Sequence, residues 1–191
     1  MRRTPARLSG AVIITPAVYG DERGFFLETY RREWHAEAGL PETDDFIQDN
    51  QSRSACGVIR GLHFHVGAGA AKLVRCARGS IVDVIVDLRR GSPTYAQWEA
   101  VQLSDQNHHV LYVPVGFAHG FAVTSEVADV VYKQTAYYDP VVERGIAYDD
   151  PNIGIEWPID ADQRVVSDRD LAAPSLSEVA DELPFEYAAD A

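Results

Sequence analysis

Cysteine, basic residues and long apolar runs are what this sequence has least of, and each shortage excludes something. The 191 residues include two cysteines, Cys56 and Cys76, which form neither a CxxC pair nor a zinc spacing. Both are expected as thiols in a reducing compartment, the cytoplasm. The longest apolar stretch, Val110–Ala118, is far too short for a bilayer-spanning helix, so no membrane partner is expected. The apolar stretch Ala11–Tyr19 follows Arg2-Arg3 but is split by Pro16 and runs into Asp21-Glu22, which suits a first strand better than a signal sequence. Positive charge is scarce as well: 17 Lys and Arg stand against 29 Asp and Glu, a net charge of −12. A field of that sign repels a phosphate backbone at long range and argues against nucleic acid as a partner, while leaving room for a local basic pocket that holds a small anion.

With 46% hydrophobic and 24% charged residues and no internal repeat, the chain has the composition of one globular domain. The expected layout is a single domain over residues 1–170 and an acidic tail over 171–191, where Glu178, Asp181, Glu182, Glu186 and Asp190 meet no base. Short alternating segments recur between turn signals at 73–77, 80–88, 97–103, 109–113, 117–124 and 129–135, the spelling of an all-β sandwich or barrel. In 80–88, Val82, Val84, Val86 and Leu88 share one face while Asp83 and Asp87 share the other with Ile81 and Ile85, which predicts a strand with one fully buried side. Helix is predicted only over 30–39, ending at Gly39 before Pro41, with a further turn at 175–182.

Three of the six histidines cluster by pattern: His63 and His65, two apart on one strand face, and His119 after the turn Pro114-Val115-Gly116. Gly57-(x)5-His63-x-His65 and Pro114-x-Gly116-x-x-His119 are similar to the two halves of the cupin pattern, a small antiparallel barrel that often holds a metal. Where a cupin metal site wants a glutamate after the second histidine, this chain has Gly69 and Ala70, and the next ionisable side chain is Lys72. An ammonium opposes a divalent cation instead of ligating it, so a metal-free pocket is expected. An imidazole, with a pKa of about 6.5, accepts a proton near neutrality, and an ammonium stabilises an oxyanion formed when a carbon acid ionises. His, Lys, Arg and Tyr in one barrel mouth therefore suit proton abstraction next to a carbonyl. Singly, each residue admits a plainer reading. Tyr132 shares a face with Val130 and Gln134 and fits core packing as well as catalysis, and Asp21-Glu22-Arg23-Gly24 is an ordinary turn. Likewise, Gln48, Asn50, Ser52 and Ser54 read as a solvated strand face, and Phe117 and Phe121 beside His119 as core.

Taken together the segments are more specific. Asp21-x-Arg23-Gly24-x-Phe26-x-Glu28, Gln48-x-Asn50-x-Ser52-x-Ser54, Gly57-Val58-x-Arg60-Gly61-Leu62-His63, Ala71-Lys72-Leu73-Val74, Pro114-x-Gly116-Phe117-Ala118-His119-Gly120-Phe121, Tyr132-Lys133 and Ser167-Asp168-Arg169-Asp170 follow one another in order. In this set the chain resembles the dTDP-4-dehydrorhamnose 3,5-epimerase family, the RmlC-like branch of the cupins, from residue 10 to about 175. The resemblance implies a cupin-type antiparallel β-barrel (jelly roll) with a few short peripheral helices. It also implies inversion at C3 and C5 of dTDP-4-keto-6-deoxy-D-glucose, both carbons flanking the C4 ketone, without metal or cofactor. His63 would be the general base oriented by Asp170, Lys72 would face the C4 enolate oxygen, and Tyr132 would return the proton from the opposite face. Arg23, Arg60, His119 and Arg169 would contact the diphosphate and sugar, with Glu28, Gln48, Asn50 and Glu143 as further polar contacts and Tyr138 stacked on the thymine. The implied assembly is a homodimer in which an N-terminal strand of one chain joins the partner's sheet. His65 stands where the family usually carries Gln, and Gly67-Ala68-Gly69-Ala70 lacks the usual prolines. Strict alternation puts Arg60 and His63 on opposite faces, so both reach one site only if Gly61 marks a bulge. A C3-only epimerase of an antibiotic deoxysugar pathway is the near alternative, and a non-catalytic cupin that binds a nucleotide sugar the remote one.

Overall fold

In the computed structural model, which describes residues 1–188, the alternating segments become strands of two facing antiparallel sheets. One sheet runs β1 (Arg2–Pro5), β2 (Val12–Thr15), β10 (Val110–Val113), β7 (Lys72–Arg78), β12 (Val127–Gln134), β5 (Gln48–Ala55). The other runs β13 (Glu143–Gly145), β6 (Ile59–His65), β11 (Phe117–Val123), β8 (Ser80–Asp87), β9 (Trp98–Ser104). This is the jelly-roll barrel, and each predicted strand segment between 73 and 135 coincides with one of its strands. The apolar stretch 11–19 does not make one strand: Pro16, which has no N–H to pair, separates β2 from a detached hairpin of β3 (Val18–Asp21) and β4 (Gly24–Leu27).

Apolar side chains fill three layers. Between the sheets, Val74, Ile81, Ile85, Leu103, Leu111, Val123 and Val130 form the barrel core. Outside the six-stranded sheet, Trp34 and Ala38 of the helix α1 (Trp34–Ala38) cover Val12, Ile14, Leu73 and Val110. Outside the five-stranded sheet, Leu62, Val84, Val86 and Ala118 lie under Ile146, Trp157, Leu176, Val179, Leu183 and Phe185. That third layer corrects the prediction for 80–88. Both faces of β8 are buried, one in the barrel and one under the C-terminal segment, and Asp83 and Asp87 are as enclosed as the valines. The acidic segment after residue 171 thus contributes apolar side chains to this layer.

The helix predicted over 30–39 is only five residues long. Gly39, in the left-handed conformation at φ +64°, caps its C-terminus as expected, but no side chain caps the N-terminus at Glu33. Tyr30 instead packs edge-on against Trp34 and Phe46. The C-terminal turn appears as α3 (Leu176–Val179), opened by a capping box between Ser175 and Glu178. A further short helix that the sequence reading did not foresee, α2 (Asp168–Leu171), begins at Ser167, whose side chain accepts from the Asp170 N–H.

Candidate active site

A cavity of about 560 Å³ opens at one end of the space between the sheets. Its walls come from strands that elsewhere build the apolar core. β7 places Lys72 ahead of Val74 and Cys76, β12 places Tyr132 and Gln134 beyond Val130, and β11 sets His119 between Phe117 and Phe121. The polar face of β5 is interior rather than solvated: Gln48, Asn50 and Ser52 line the cavity, with Gln48 Nε2 donating to Asn50 Oδ1 at 2.8 Å.

Arg60 and His63 share this cavity because β6 carries a bulge. The pairing of β6 with β11 runs His119↔His63 and then Phe121↔Arg60, so three steps on β6 face two on β11. Gly61 makes the shift feasible. Its φ is +113°, and a Cβ there would lie 2.6 Å from the Gly120 Cα and 2.7 Å from the His119 carbonyl oxygen. The bulge expected from the sequence is therefore present, and only glycine fits at its corner.

His63 Nε2 donates to Asp170 Oδ1 at 2.8 Å, across 107 positions of sequence. Asp170 Oδ2 accepts from the Gly61 N–H at 3.2 Å, so α2 and the bulge fix the carboxylate from two sides. Burial pushes the Asp170 carboxyl up, but the hydrogen bonds from His63, Gly61 and Ser167 outweigh it and hold the group below its ordinary value. Lys72 is buried, its Nζ 3.5 Å from the His63 carbonyl oxygen. Desolvation brings its ammonium down to about 8, with Glu143 and Asp83 acting in the opposite direction. Burial, with Glu143 nearby, raises the Tyr132 phenol, which therefore keeps its proton at neutral pH. At the mouth, Arg169 Nη2 donates to Glu143 Oε2 at 2.7 Å, Arg60 Nε donates to Ser54 Oγ at 3.0 Å, and Tyr138 stands exposed on the rim.

Of the residues singled out in the sequence, His63, Lys72, Tyr132, Asp170, Gln48, Asn50, Arg60, His119, Tyr138, Glu143 and Arg169 line this one cavity. Arg23 and Glu28 do not. Arg23 tips the β3–β4 hairpin, ion-paired with Asp21 and with 85% of its side chain in solvent, and Glu28 lies beside Arg31 just after the hairpin. Among the described residues the hairpin pairs with no other strand, and both residues lie away from the cavity. Two residues were not named as site residues: Gln134, which lines the cavity, and Asp83, which lies behind it bonded to His119. Gln134 carried a signal, its alternation with Tyr132; Asp83 shares its strand face with Ile81, Ile85 and Asp87, which by itself reads as a mixed face and not as a site. Among the described residues no three His, Cys, Asp or Glu side chains converge as a metal site would require.

A family model described as dTDP-4-dehydrorhamnose 3,5-epimerase matches residues 5–178. The chain is 49% identical over 164 residues to the dTDP-4-dehydrorhamnose 3,5-epimerase of Methanothermobacter thermautotrophicus, covering 85% of this chain and 88% of the relative. To the enzyme of the same name from Salmonella typhimurium it is 48% identical over 168 residues, covering 87% and 91%. Its fold superposes with a TM-score of 0.93 on crystalline RmlC from Legionella pneumophila, a dTDP-6-deoxy-D-glucose-3,5-epimerase in complex with dTDP-4-keto-L-rhamnose. That pair is 43% identical, over 98% of this chain and 99% of the other.

Proposed function

Since the chain belongs to the dTDP-4-dehydrorhamnose 3,5-epimerase family, we propose that its cavity inverts C3 and C5 of dTDP-4-dehydro-6-deoxy-D-glucose, an isomerase reaction that yields dTDP-4-dehydro-L-rhamnose. The observation that carries this reading is the meeting of a carboxylate-oriented imidazole, a buried ammonium and a phenol in one cavity. His63 gives its Nε2–H to Asp170, which leaves Nδ1 as the nitrogen that takes the proton from C3 and later from C5. The electron pair left on carbon passes into the C4 carbonyl, and the resulting enolate oxygen meets the Lys72 ammonium in a desolvated setting where one charge does much. Tyr132 then delivers its proton to the opposite face of the same carbon, and exchange with solvent resets base and acid. Arg60, His119 and Arg169 take the diphosphate and sugar, Gln48, Asn50 and Glu143 supply further polar contacts, and Tyr138 stacks on the thymine. The site calls on no metal or cofactor.

The hairpin gives Arg23 and Glu28 their part. With Val18, Tyr19, Phe25 and Phe26 exposed on it, the hairpin is suited to dock on a second copy, and the reading places Arg23 and Glu28 at the partner's cavity in a homodimer. Phe26→Asp should then yield monomers in sedimentation analysis and weaken binding of dTDP. Two free thiols, one of them exposed, fit a reducing cytoplasm. Proton NMR with dTDP-4-keto-6-deoxyglucose in D2O tests the reaction directly. Deuterium at both C3 and C5 with inversion at both is expected; label at C3 alone would make this a 3-epimerase, and label at neither a binding protein.

A further inference from the structure

Asp83 is the most enclosed carboxylate of the cavity region, and nothing in the mechanism above uses it. It lies on the inward face of β8 and is 0% exposed. Oδ2 accepts from His119 Nε2 at 2.9 Å, whereas Oδ1 is fully buried and has no hydrogen-bond partner among the described residues. A buried carboxylate oxygen left unpaired is costly, and such groups persist where a neighbouring charge or a function retains them. Two groups stand close enough to answer. One is His119, which lies directly across the β6–β11 ladder from His63. The other is Lys72, whose ammonium has few counter-charges.

We propose that Asp83 is a positioning residue for the epimerisation: a single buried carboxylate that fixes the imidazole of His119 through Oδ2 and provides the counter-charge for the Lys72 ammonium where the enolate oxygen forms. The inference rests on the proposed function. It pairs two dyads with divided tasks. His63–Asp170 handles the carbon proton, and His119–Asp83, behind it, sets the charge of the pocket floor. Holding Nε2–H on Asp83 leaves His119 Nδ1 free to meet the substrate.

The ionisation of Lys72 is set by everything packed around it: Asp83 from β8, Glu143 from β13, His63 and His65 from β6, His119 from β11 and Tyr132 from β12. Burial drives the lysine toward the neutral amine, and only the two carboxylates act against this. Glu143 acts on Lys72 the more strongly of the two, but it is shared with Arg169 at 2.7 Å at the mouth, whereas Asp83 is held wholly inside the barrel. Burial pushes the Asp83 carboxyl up, and the His119 and Lys72 beside it are what act to keep it ionised. Without this carboxylate, Lys72 would lose its proton at a lower pH and the oxyanion would meet a neutral amine.

Asp83→Asn tests this, because the amide keeps the shape and an oxygen for His119 but not the charge. The expected result is a kcat about tenfold or more lower at neutral pH, an unchanged KM, and an alkaline limb of the kcat profile displaced downward by about one pH unit. A kcat and alkaline limb like those of the wild type would reduce Asp83 to a packing partner and overturn the proposal. If Asp83→Asn does not fold, carboxyl carbon NMR of the wild-type protein decides: the proposal requires Asp83 ionised at pH 7, and a protonated Asp83 there overturns it. Turnover of the wild type in the same assay separates the two claims, since absence of exchange in the wild type would refute the proposed function itself.

Discussion

The apolar core and the polar cavity between the sheets are built by the same strands and do opposite things. Ile81 on β8, Val74 on β7, Phe117 on β11 and Val130 on β12 belong to the apolar core. Two residues along those strands, on the same faces, stand Asp83, Lys72, His119 and Tyr132. A two-residue step keeps the side chain pointing inward and changes only its chemistry. Rigidity therefore comes to the cavity without a separate scaffold, since each site residue is anchored by core neighbours in its own strand. The arrangement implies a clean division: substitutions in the core should cost stability, and those in the cavity should cost catalysis while leaving stability equal or higher.

The largest effect that would sharpen this division is at the base. His63→Asn should reduce solvent exchange at both C3 and C5 by about 10³-fold, within the range for loss of a general base, with the melting temperature nearly unchanged. Retained exchange in that variant would remove His63 from its role. Next, Tyr132→Phe should lower inversion by about 10²-fold while deuterium still enters the substrate, because the enolate forms and is reprotonated from the face it came from. Loss of exchange together with inversion would assign Tyr132 to enolate formation instead. In the core, Leu111→Ala should cost about 2–4 kcal/mol in denaturant unfolding, yet leave turnover of the folded fraction intact.

Lys72→Met tests the division from the other side. Burial lowers the lysine from 10.5 to about 8, which corresponds to about 3 kcal/mol of stability lost when it is charged in the fold. Its folded value lies below its unfolded one, so the loss is full below about pH 8 and fades as the pH rises toward 10.5. The methionine variant should accordingly be the more stable protein at pH 7, by a margin that narrows toward pH 10, and a slower catalyst; a less stable variant would break the division. In the wild type the same ionisation should make kcat fall above about pH 8. The smallest expected effect is none: exhaustive chelation should leave turnover unchanged, and a loss restored by one divalent metal would contradict a floor occupied by an ammonium.

How much of this was legible in the sequence depended on distance along the chain. Strand positions and the polar cluster were readable because alternation and motif order are local. The bulge at Gly61 was readable from a parity conflict between Arg60 and His63. The enclosure of β8 was not, because its cover comes from Ile146, Trp157 and Leu176, far downstream, and alternation records only one buried face. Nor does alternation say which face of β5 is wet: polar residues lining a cavity and polar residues facing bulk water have the same period. The length of α1 escaped for a different reason, since helical composition over 30–39 was outweighed by the packing of Tyr30.

The bond between His63 and Asp170 spans most of the chain, and that span has a consequence for the order in which the molecule comes into being. Every strand of both sheets is complete by Gly145, whereas Ser167 and Asp170 follow more than twenty positions later. During synthesis from the N-terminus, the barrel strands are all available before the residue that orients the base has been added. A nascent or truncated chain ending near residue 160 would thus carry His63, Lys72 and Tyr132 but lack the carboxylate that aims the imidazole. Competence arrives late, with the last turn of chain to reach the cavity.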